Sequence, residues 1–360
     1  MSTKLELTLA CGDYEILRAL KEGTVQPDGI ELKVVTAMDS PTRHWRFLRG
    51  NEFDIGEVSS SSYVASRDNG HPFRAIPVFP HRRFRHGFAF INTSKGIKTP
   101  KDLIGKKVGV KFFLNSAALW LRGILEHEYG VPFKSIDWYS ELEEDIAEAS
   151  FPKDMKLTRV PESKSIVKML VDGELDAVLH PDLIDPIRMK DPRVARLFPN
   201  YKADEAAYFK KTGIYPIMHV VGIKKEIVDK YPWVPVNLYR AFEQSKAAAM
   251  KRMENPRVAP IVWYREAWEE QEEVFKSDPW EYGLTERNVH NLETLVGYSH
   301  EQGMIKRKIP LDKGRYRSRH LIENAFCRLK DFRRVATRYD KLARNYLSAV
   351  APCALLAYWI

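Results

Sequence analysis

Two segments of the sequence share one pattern, in which a helix is followed by a turn with glycine or asparagine before glutamate, and then by a short apolar strand. The first segment is Gly50-Asn51-Glu52-Phe53-Asp54-Ile55 and the second is Asp172-Gly173-Glu174-Leu175-Asp176-Ala177. A short apolar run after a helix and a turn is typical of a buried strand in a βαβ unit. Because the pattern occurs twice, the sequence predicts two α/β lobes of similar construction.

The length of the chain also favours two lobes, because single cores rarely grow beyond about 250–300 residues and this chain has 360. Alternating apolar residues predict a first strand from Lys4 to Ala10, and Thr99, an N-cap followed by proline, opens a second α/β unit. Two apolar, strand-like runs at 87–92 and 214–222 are the expected crossovers. Helical spacing predicts three later helices, at 233–252, 263–275 and 286–302.

The predicted fold is therefore a two-lobed α/β structure with a ligand cleft between the lobes and two hinge crossovers. We expect residues 1–90 and 215–312 to form the first, discontinuous lobe and residues 91–214 to form the second. Ligands of open α/β sheets bind beyond the carboxyl ends of the strands. Ser59–Ser62 and His180–Asp182 follow predicted strands and should face one shared cleft.

No run approaches the about 18–20 apolar residues that a membrane-spanning helix needs, and the first seven residues alternate without a signal-peptide core. We expect a cytoplasmic protein without a membrane partner. The three cysteines lack the spacing of a disulfide framework or a zinc site, and no glycine-rich phosphate loop stands out. We therefore predict neither a metal nor a cofactor. The alternative is a catalytic metal held by His86, His219, His180 and a carboxylate, for which the spacing gives no evidence.

Ordered motifs link the sequence to known proteins. The run Leu103-Ile104-Gly105-Lys106-Lys107-Val108-Gly109-Val110, with the two repeated turns, resembles type II periplasmic-binding-protein folds. Further motifs resemble the 4,5-dihydroxyphthalate decarboxylase family across residues 4–312. They are Gly12-Asp13-Tyr14, Ile76-Pro77-Val78-Phe79-Pro80, Arg82-x-Phe84-Arg85-His86, Ser135-Ile136-Asp137-Trp138, Arg196-Leu197-Phe198-Pro199, Thr212-Gly213-Ile214-Tyr215-Pro216-Ile217-Met218-His219-Val220-Val221 and Tyr298-x-His300-Glu301-Gln302-Gly303. The resemblance implies a binding-protein scaffold that works as a carboxy-lyase, converting 4,5-dihydroxyphthalate to protocatechuate and CO2 in phthalate degradation.

This reaction sets chemical demands on the site. Direct loss of CO2 from a benzoate leaves an unstable aryl anion, so a cofactor-free route first protonates the ring carbon that bears the carboxylate. A para hydroxyl supplies the electrons as its proton leaves. The site therefore needs a base, a general acid and cations that hold a small aromatic dicarboxylate.

The segment His81-Arg82-Arg83-Phe84-Arg85-His86 contains three guanidinium groups and two imidazoles in six residues. Guanidinium groups bind carboxylates through paired hydrogen bonds, and the family resemblance favours Arg82, Arg85 and His86. A solvent-exposed basic loop is the alternative. We expect a function, because the segment lies between an apolar strand and the first crossover.

The candidate acid and base are His86 and His219, because imidazole titrates near neutral pH, and the sequence does not assign their roles. His219 lies on the return crossover, where a structural core histidine is the alternative. Glu57 is expected to be the phenol base or to pair with a cleft arginine. Tyr14, in the first strand-to-helix turn, is expected to hydrogen-bond the ligand.

Further polar residues are predicted to bind substrate oxygens. Asn115 and Ser116 begin a helix whose free N–H groups suit a carboxylate, although a plain N-cap is equally compatible with the sequence. Ser60 and Ser61 follow a buried strand and bind anionic oxygens or form an ordinary polar loop. His180 has the equivalent position in the second lobe.

The main alternative is a solute-binding protein that delivers a small anionic ligand to an ABC transporter through the same closing cleft. The start of the sequence contains no signal peptide or lipoprotein cysteine, which favours the enzyme. A homo-oligomer is compatible with either function.

The tail of the chain has a different composition. Residues 313–360 carry 11 Lys and Arg against three Asp and Glu, a net charge of +8 out of +9 for the whole chain. Residues 319–330 and 333–341 resemble the C-terminal end of DDE-type insertion-sequence transposases, with Glu323 matching the third catalytic carboxylate. The first two acids are absent, so the resemblance implies a basic helical fusion remnant, and we do not expect nucleic acid as a partner.

Overall fold

The computed structural model describes residues 4–149 and 151–311, and the predicted basic tail from residue 313 lies outside them. The strands are β1 Leu5–Ala10, β2 Ile30–Val35, β3 Ile55–Ser59, β4 Phe73–Ile76, β5 Ala89–Asn92, β6 Lys107–Val110, β7 Asp137–Ser140, β8 Leu157–Arg159, β9 Ala177–Leu179, β10 Val194–Arg196 and β11 His219–Lys224. The α-helices are α1 Arg18–Lys21, α2 Ser40–Leu48, α3 Ser60–Asp68, α4 Ser116–Tyr129, α5 Ile166–Val171, α6 Asp185–Arg188, α7 Tyr201–Thr212, α8 Lys225–Lys230, α9 Val234–Met253, α10 Tyr264–Phe275 and α11 Glu286–Glu301. None of these helices is long and apolar enough to cross a bilayer.

The first sheet has the strand order β2-β1-β3-β11-β4. Strand β1 pairs in parallel with β2 and β3, and β11 pairs antiparallel with β3 and β4. The alternation in β1 buries Leu7 and Leu9, because successive side chains of a strand point to opposite faces. Because β1, β2 and β3 are parallel, their carboxyl ends meet at one end of this sheet.

The second sheet has the order β10-β5-β9-β6-β7-β8. Strand β6 pairs in parallel with β7 and β9, and β5 pairs antiparallel with β9 and β10. The chain leaves the first sheet after β4 and returns to it at β11, so two segments cross between the sheets. The predicted α/β fold with two crossovers is confirmed.

The repeated sequence pattern forms the same local structure in both sheets. Asn51 and Gly173 have left-handed backbone conformations, with φ of 51° and 75°, which asparagine and glycine adopt at low cost. Three residues later, Asp54 and Asp176 each accept a hydrogen bond of 2.8 Å from a backbone N–H of the neighbouring strand, β1 and β6 respectively. The repeat therefore joins a turn to the strand beside it, once in each sheet.

Helix α4 lies against the second crossover and against α11. A Cβ at Gly123 would lie 2.2 Å from the Tyr298 ring of α11, so glycine is required for this close approach. The Trp120 indole N–H donates to the carbonyl oxygen of Ile217 at 3.0 Å. These contacts fix the chain that leads into β11, and with it the first residue of that strand.

Candidate active site

Glu57 lies on β3 with no exposed surface, and four donors surround its carboxylate. The Tyr14 hydroxyl donates to Oε1 at 2.7 Å, and His219 Nδ1 lies 2.5 Å from the same oxygen. The backbone N–H of Gly12 donates to Oε2 at 2.6 Å, and Arg43 Nη2 lies 3.1 Å from it. Burial alone would raise the pKa of Glu57, but the charges of His219 and Arg43 outweigh it and hold that pKa well below its usual range. Glu57 is therefore an ionised, immobilised carboxylate.

His219 is the first residue of β11 and pairs with Ser59 of β3. The rings of His44 and His81 contact its ring edge-on, with 4.8 and 4.7 Å between ring centres. Burial, together with the charge on His219, lowers the pKa of both neighbours well below the ordinary value. His219 thus lies between two neutral imidazoles, with Nδ1 on Glu57 and its side chain 11% exposed.

The turn after β1 brings Tyr14 onto Glu57. A Cβ at Gly12 would lie 2.5 Å from the Tyr14 ring, so glycine lets the ring fold back over the turn. The Tyr14 ring stacks on His81 with 5.8 Å between ring centres. Burial and the Glu57 charge raise the pKa of the Tyr14 hydroxyl, so this group stays a hydrogen-bond donor.

The Glu57–His219 pair has the geometry of a positioned acid–base histidine. A carboxylate on Nδ1 fixes the ring orientation and the tautomer, which leaves Nε2 to exchange a proton with a ligand. Glu57 itself is poorly suited to take a proton from a substrate, because its oxygens are already engaged and its pKa is low. Of the two predicted roles for Glu57, the geometry favours pairing with a cation, here Arg43 and His219.

The predicted oxygen-binding residues come together, but they bond one another. Ser59 Oγ lies 2.8 Å from Ser116 Oγ, and the Ser61 N–H donates to Ser116 Oγ at 3.1 Å. Asn115 caps α4 through its side-chain oxygen. Ser60 is buried, and its hydroxyl has no partner within the described ranges. These residues join the carboxyl end of β3 to the start of α4.

Arg82 and Arg85 are buried, and their guanidinium groups bond oxygen atoms from distant parts of the chain. Arg82 Nη2 donates to the carbonyl oxygen of Glu281 at 2.9 Å and to the side-chain oxygen of Asn288. Arg85 Nη2 donates to the carbonyl oxygen of His180 at 2.6 Å. Burial lowers the pKa of Arg82 to about 10 and that of Arg85 to about 9. The two side chains brace the first crossover.

His86 lies in an aromatic cage formed by Tyr129, Phe198 and Tyr208, with 5.1 to 6.1 Å between ring centres. Neither ring nitrogen has a hydrogen-bond partner among the residues that the structure describes, and burial lowers the pKa of His86 to about 4. None of these ring contacts is with the Glu57–His219 pair. His180 directly follows β9, and its Nδ1 accepts a hydrogen bond from the Asp182 N–H at 3.0 Å.

Sequence reasoning gave no role to Arg43 and His44, and it included His81 only as a member of the basic segment 81–86. Arg43 and His44 lie on α2 and are 1% and 3% exposed. A signal was present, because His44 shares the i, i+3, i+4 face of α2 with the buried Phe47 and Leu48. Across residues 4–149 and 151–311, no three His, Cys, Asp or Glu side chains are arranged to hold a metal ion.

Comparison with solved structures identifies the fold. The periplasmic sulfonate-binding protein SsuA from Methylobacillus flagellatus KT, part of a putative sulfonate ABC transporter, aligns with a TM-score of 0.53 and 14% identity, covering 90% of this chain and 96% of that chain. The fold is therefore that of the type II periplasmic binding proteins. No family model matches the sequence.

Comparison with curated proteins identifies the family. The chain is 33% identical over 315 residues to a 4,5-dihydroxyphthalate decarboxylase from Comamonas testosteroni, covering 85% of this chain and 95% of that relative. It is 34% identical over 203 residues to a 4,5-dihydroxyphthalate decarboxylase from Pseudomonas putida, covering 54% of this chain and 78% of the relative. The chain belongs to the 4,5-dihydroxyphthalate decarboxylase family, as the sequence motifs predict.

Proposed function

We propose that the protein removes one carboxylate from 4,5-dihydroxyphthalate and releases protocatechuate and CO2. One structural observation carries the proposal: a buried carboxylate, Glu57, holds His219 where a strand end meets the cleft side of the first sheet. Family membership supports the choice of substrate, because both curated relatives carry the name of this decarboxylase.

In the proposed reaction, His219 is the general acid. The hydroxyl para to the departing carboxylate transfers its proton to the acceptor nitrogen of the neutral His81 imidazole, which returns it to the phenolate oxygen after CO2 has left, and the electrons of the oxygen move into the ring. Nε2–H of the His219 imidazolium then protonates the ring carbon that bears this carboxylate. The carbon–carbon bond to the carboxylate breaks, its electron pair restores aromaticity, and CO2 leaves. Such proton transfer typically contributes about 10²–10⁴ in rate.

Glu57 is a positioning residue in this proposal, because it acts on the substrate through His219. Its carboxylate holds Nδ1 of His219 and so fixes the orientation of the ring, and its bonds to Tyr14 and Arg43 keep it in place. His81 is held neutral by burial, and a neutral imidazole has one acceptor nitrogen. We assign to His81 the hydrogen bond from a substrate hydroxyl.

The remaining predicted residues take supporting roles. We propose that Arg82 and Arg85 brace the crossover and that His86 fills its aromatic cage without transferring protons. Six further residues line the cleft or link its two sides: Tyr14, Ser60, Ser61, Asn115, Ser116 and His180.

The test is incubation of the purified full chain with 4,5-dihydroxyphthalate, with and without a chelator, while CO2 and protocatechuate are quantified by chromatography. The proposal predicts equal amounts of both products and no effect of the chelator. Tight binding of the substrate without turnover would contradict the proposal and favour the solute-binding alternative.

Several finer points remain predictions. These are the cytoplasmic location, a homo-oligomeric state and the lobe boundaries at 90/91 and 214/215. We also propose that the tail from residue 313 takes no part in the chemistry. The extent of the match supports this, since 85% of this chain covers 95% of the Comamonas relative.

A further inference from the structure

A cavity of about 450 Å³ opens beside the segment that carries His81. Its walls combine two guanidinium groups and aromatic rings with two carboxyl groups, those of Asp182 and the half-buried Glu205. A small ligand site is usually a concave, largely apolar space with a few placed polar groups. The composition of this cavity fits a flat aromatic molecule that carries negative charge.

The backbone connects this cavity to the proposed catalytic histidines. His81 accepts hydrogen bonds at its carbonyl oxygen from the N–H groups of Met218 (3.0 Å) and His219 (3.2 Å). The Arg83 N–H donates to the carbonyl oxygen of Pro216 at 3.2 Å, so the two segments run side by side. Two residues of extended chain span about 7 Å, which is close to the length of a benzene ring with its substituents.

Arg83 differs from its two neighbours in the state of its guanidinium group. Its side chain is 39% exposed, whereas Arg82 and Arg85 are buried and bonded to protein oxygens. Its contacts to the Pro181 carbonyl oxygen and to Asp182 Oδ1 are long, at 3.4 Å each. The Phe88 ring lies 5.0 Å from the guanidinium carbon and limits its orientation. Arg83 is therefore held in the cavity wall by weak contacts that a ligand can replace.

We propose that Arg83 binds the carboxylate that the substrate retains, and that this contact makes the site selective for ortho-dicarboxylates over aromatic monocarboxylates. The inference rests on the proposed function and deepens it. The substrate carboxylate displaces Asp182 from Arg83 and receives two parallel N–H···O bonds, the arrangement that guanidinium groups favour. Its ring lies against Phe88, with the second carboxylate towards His219.

The test compares Arg83→Gln with the wild-type full chain in steady-state kinetics on 4,5-dihydroxyphthalate. Loss of a charge-assisted pair predicts a rise in KM of about 10- to 100-fold, with kcat changed by less than about threefold, as expected for a ground-state contact. Arg83→Lys should recover part of the loss. Asp182→Asn should lower KM, because it removes the competing carboxylate.

Arg193→Gln is the matched control. Arg193 pairs with Asp191 at 2.7 Å on an exposed surface outside the cavity, so its loss should leave KM unchanged. An unchanged KM in Arg83→Gln, with the melting temperature of the wild type, would overturn the inference. A fall in kcat without a rise in KM would also overturn it.

A second measurement separates this inference from the proposed function. Phthalate has both carboxylates but no hydroxyl for the proposed chemistry, so its binding is measured by calorimetry without turnover. The inference predicts that Arg83→Gln weakens phthalate binding and lowers the preference for phthalate over benzoate. Equal phthalate binding by both proteins would refute it, whereas absent turnover by the wild type would refute only the proposed function.

Discussion

Replacing Glu57 with glutamine tests whether this carboxylate positions the catalytic histidine. Glutamine keeps the size of the side chain but removes its charge and turns one acceptor into an NH₂ donor. Whichever way the amide faces, that NH₂ group meets two of the four existing donors, either Tyr14 and His219 or Gly12 and Arg43. The variant therefore loses at least two hydrogen bonds and leaves Arg43 without its buried countercharge.

The magnitude follows from these contacts. Hydrogen bonds to charged groups are each worth about 1.5–3 kcal/mol, and removing one partner of a buried ion pair costs about 3–5 kcal/mol. We expect the free energy of unfolding to fall by about 3–5 kcal/mol at pH 7. We expect kcat to fall by about 10²–10⁴, because His219 loses the carboxylate that fixes the orientation and tautomer of its ring.

The difference in the free energy of unfolding between the wild type and Glu57→Gln should depend on pH in a defined direction. The folded pKa of Glu57 lies below its unfolded value, so its stabilisation is fully present above about pH 4.3, the ordinary glutamate value, and is lost as the pH falls further. Denaturant unfolding at pH 7 and pH 3.5 measures this. The gap between wild type and Glu57→Gln should narrow at the lower pH.

Glu52→Gln provides the matched control. Glu52 pairs with Arg46 at 2.6 Å, but both side chains are 40% exposed, so the variant should lose far less stability than Glu57→Gln and keep its kcat. A Glu57→Gln protein with wild-type kcat would refute the positioning role. Equal stability losses in the two variants would refute the argument from burial.

Three further predictions follow from other buried groups. Asp145→Asn should raise the free energy of unfolding at pH 8 by up to about 3 kcal/mol. Burial raises the pKa of Asp145 to about 6, so its ionised form destabilises the folded state above that pH. An equal gain at pH 4, measured by denaturant titration, would contradict this prediction. His86→Phe should keep kcat within about threefold of the wild type, since general acid–base catalysis is worth far more than that; a loss of 100-fold in steady-state assays would return His86 to the reaction. Between pH 7 and pH 5, the free energy of unfolding should fall less for His44→Phe than for the wild type. The unfolded imidazole binds a proton near pH 6.5, whereas the buried imidazole stays neutral. Identical slopes of the free energy of unfolding against pH would contradict this prediction.

The fold was largely predictable because its signals are local. The repeated turn in front of Asp54 and Asp176 predicts two lobes, and both aspartates accept from the strand beside them. The three late helices predicted from spacing agree within two residues with α9, α10 and α11. The crossovers were less well bounded, since His86–Phe88 form a 3-10 helix before β5 and the return strand begins only at His219. A run of apolar residues cannot distinguish a strand from the buried segment that leads into it.

The site was only partly predictable because its key contacts join distant residues. Glu57 and His219 are 162 positions apart and meet at 2.5 Å only because β3 and β11 are neighbours. Their residue types and strand positions could be found in the sequence. Arg43 and His44 could not be assigned so readily, because a helix with Arg, His and Trp in succession resembles a solvated face until the sheet covers it.

The arginine cluster illustrates a second limit. The sequence indicates three guanidinium groups close together, but it does not indicate which backbone oxygens they will bond. Arg82 reaches Glu281 across 199 positions, and Arg85 reaches His180 across 95. Both hydrogen bonds of the Arg83 guanidinium group are long, at 3.4 Å, and a ligand can replace them. The family motif marks a segment, and the long-range packing decides which of its side chains faces the cavity.

The most direct test of the central claim measures CO2 release from 4,5-dihydroxyphthalate by wild type, His219→Gln and His86→Phe side by side. We predict release by the wild type and by His86→Phe at similar rates, and a rate at least about 100-fold lower for His219→Gln, as loss of a general acid requires. Wild-type turnover by a folded His219→Gln protein, or loss of turnover in His86→Phe alone, would contradict the account.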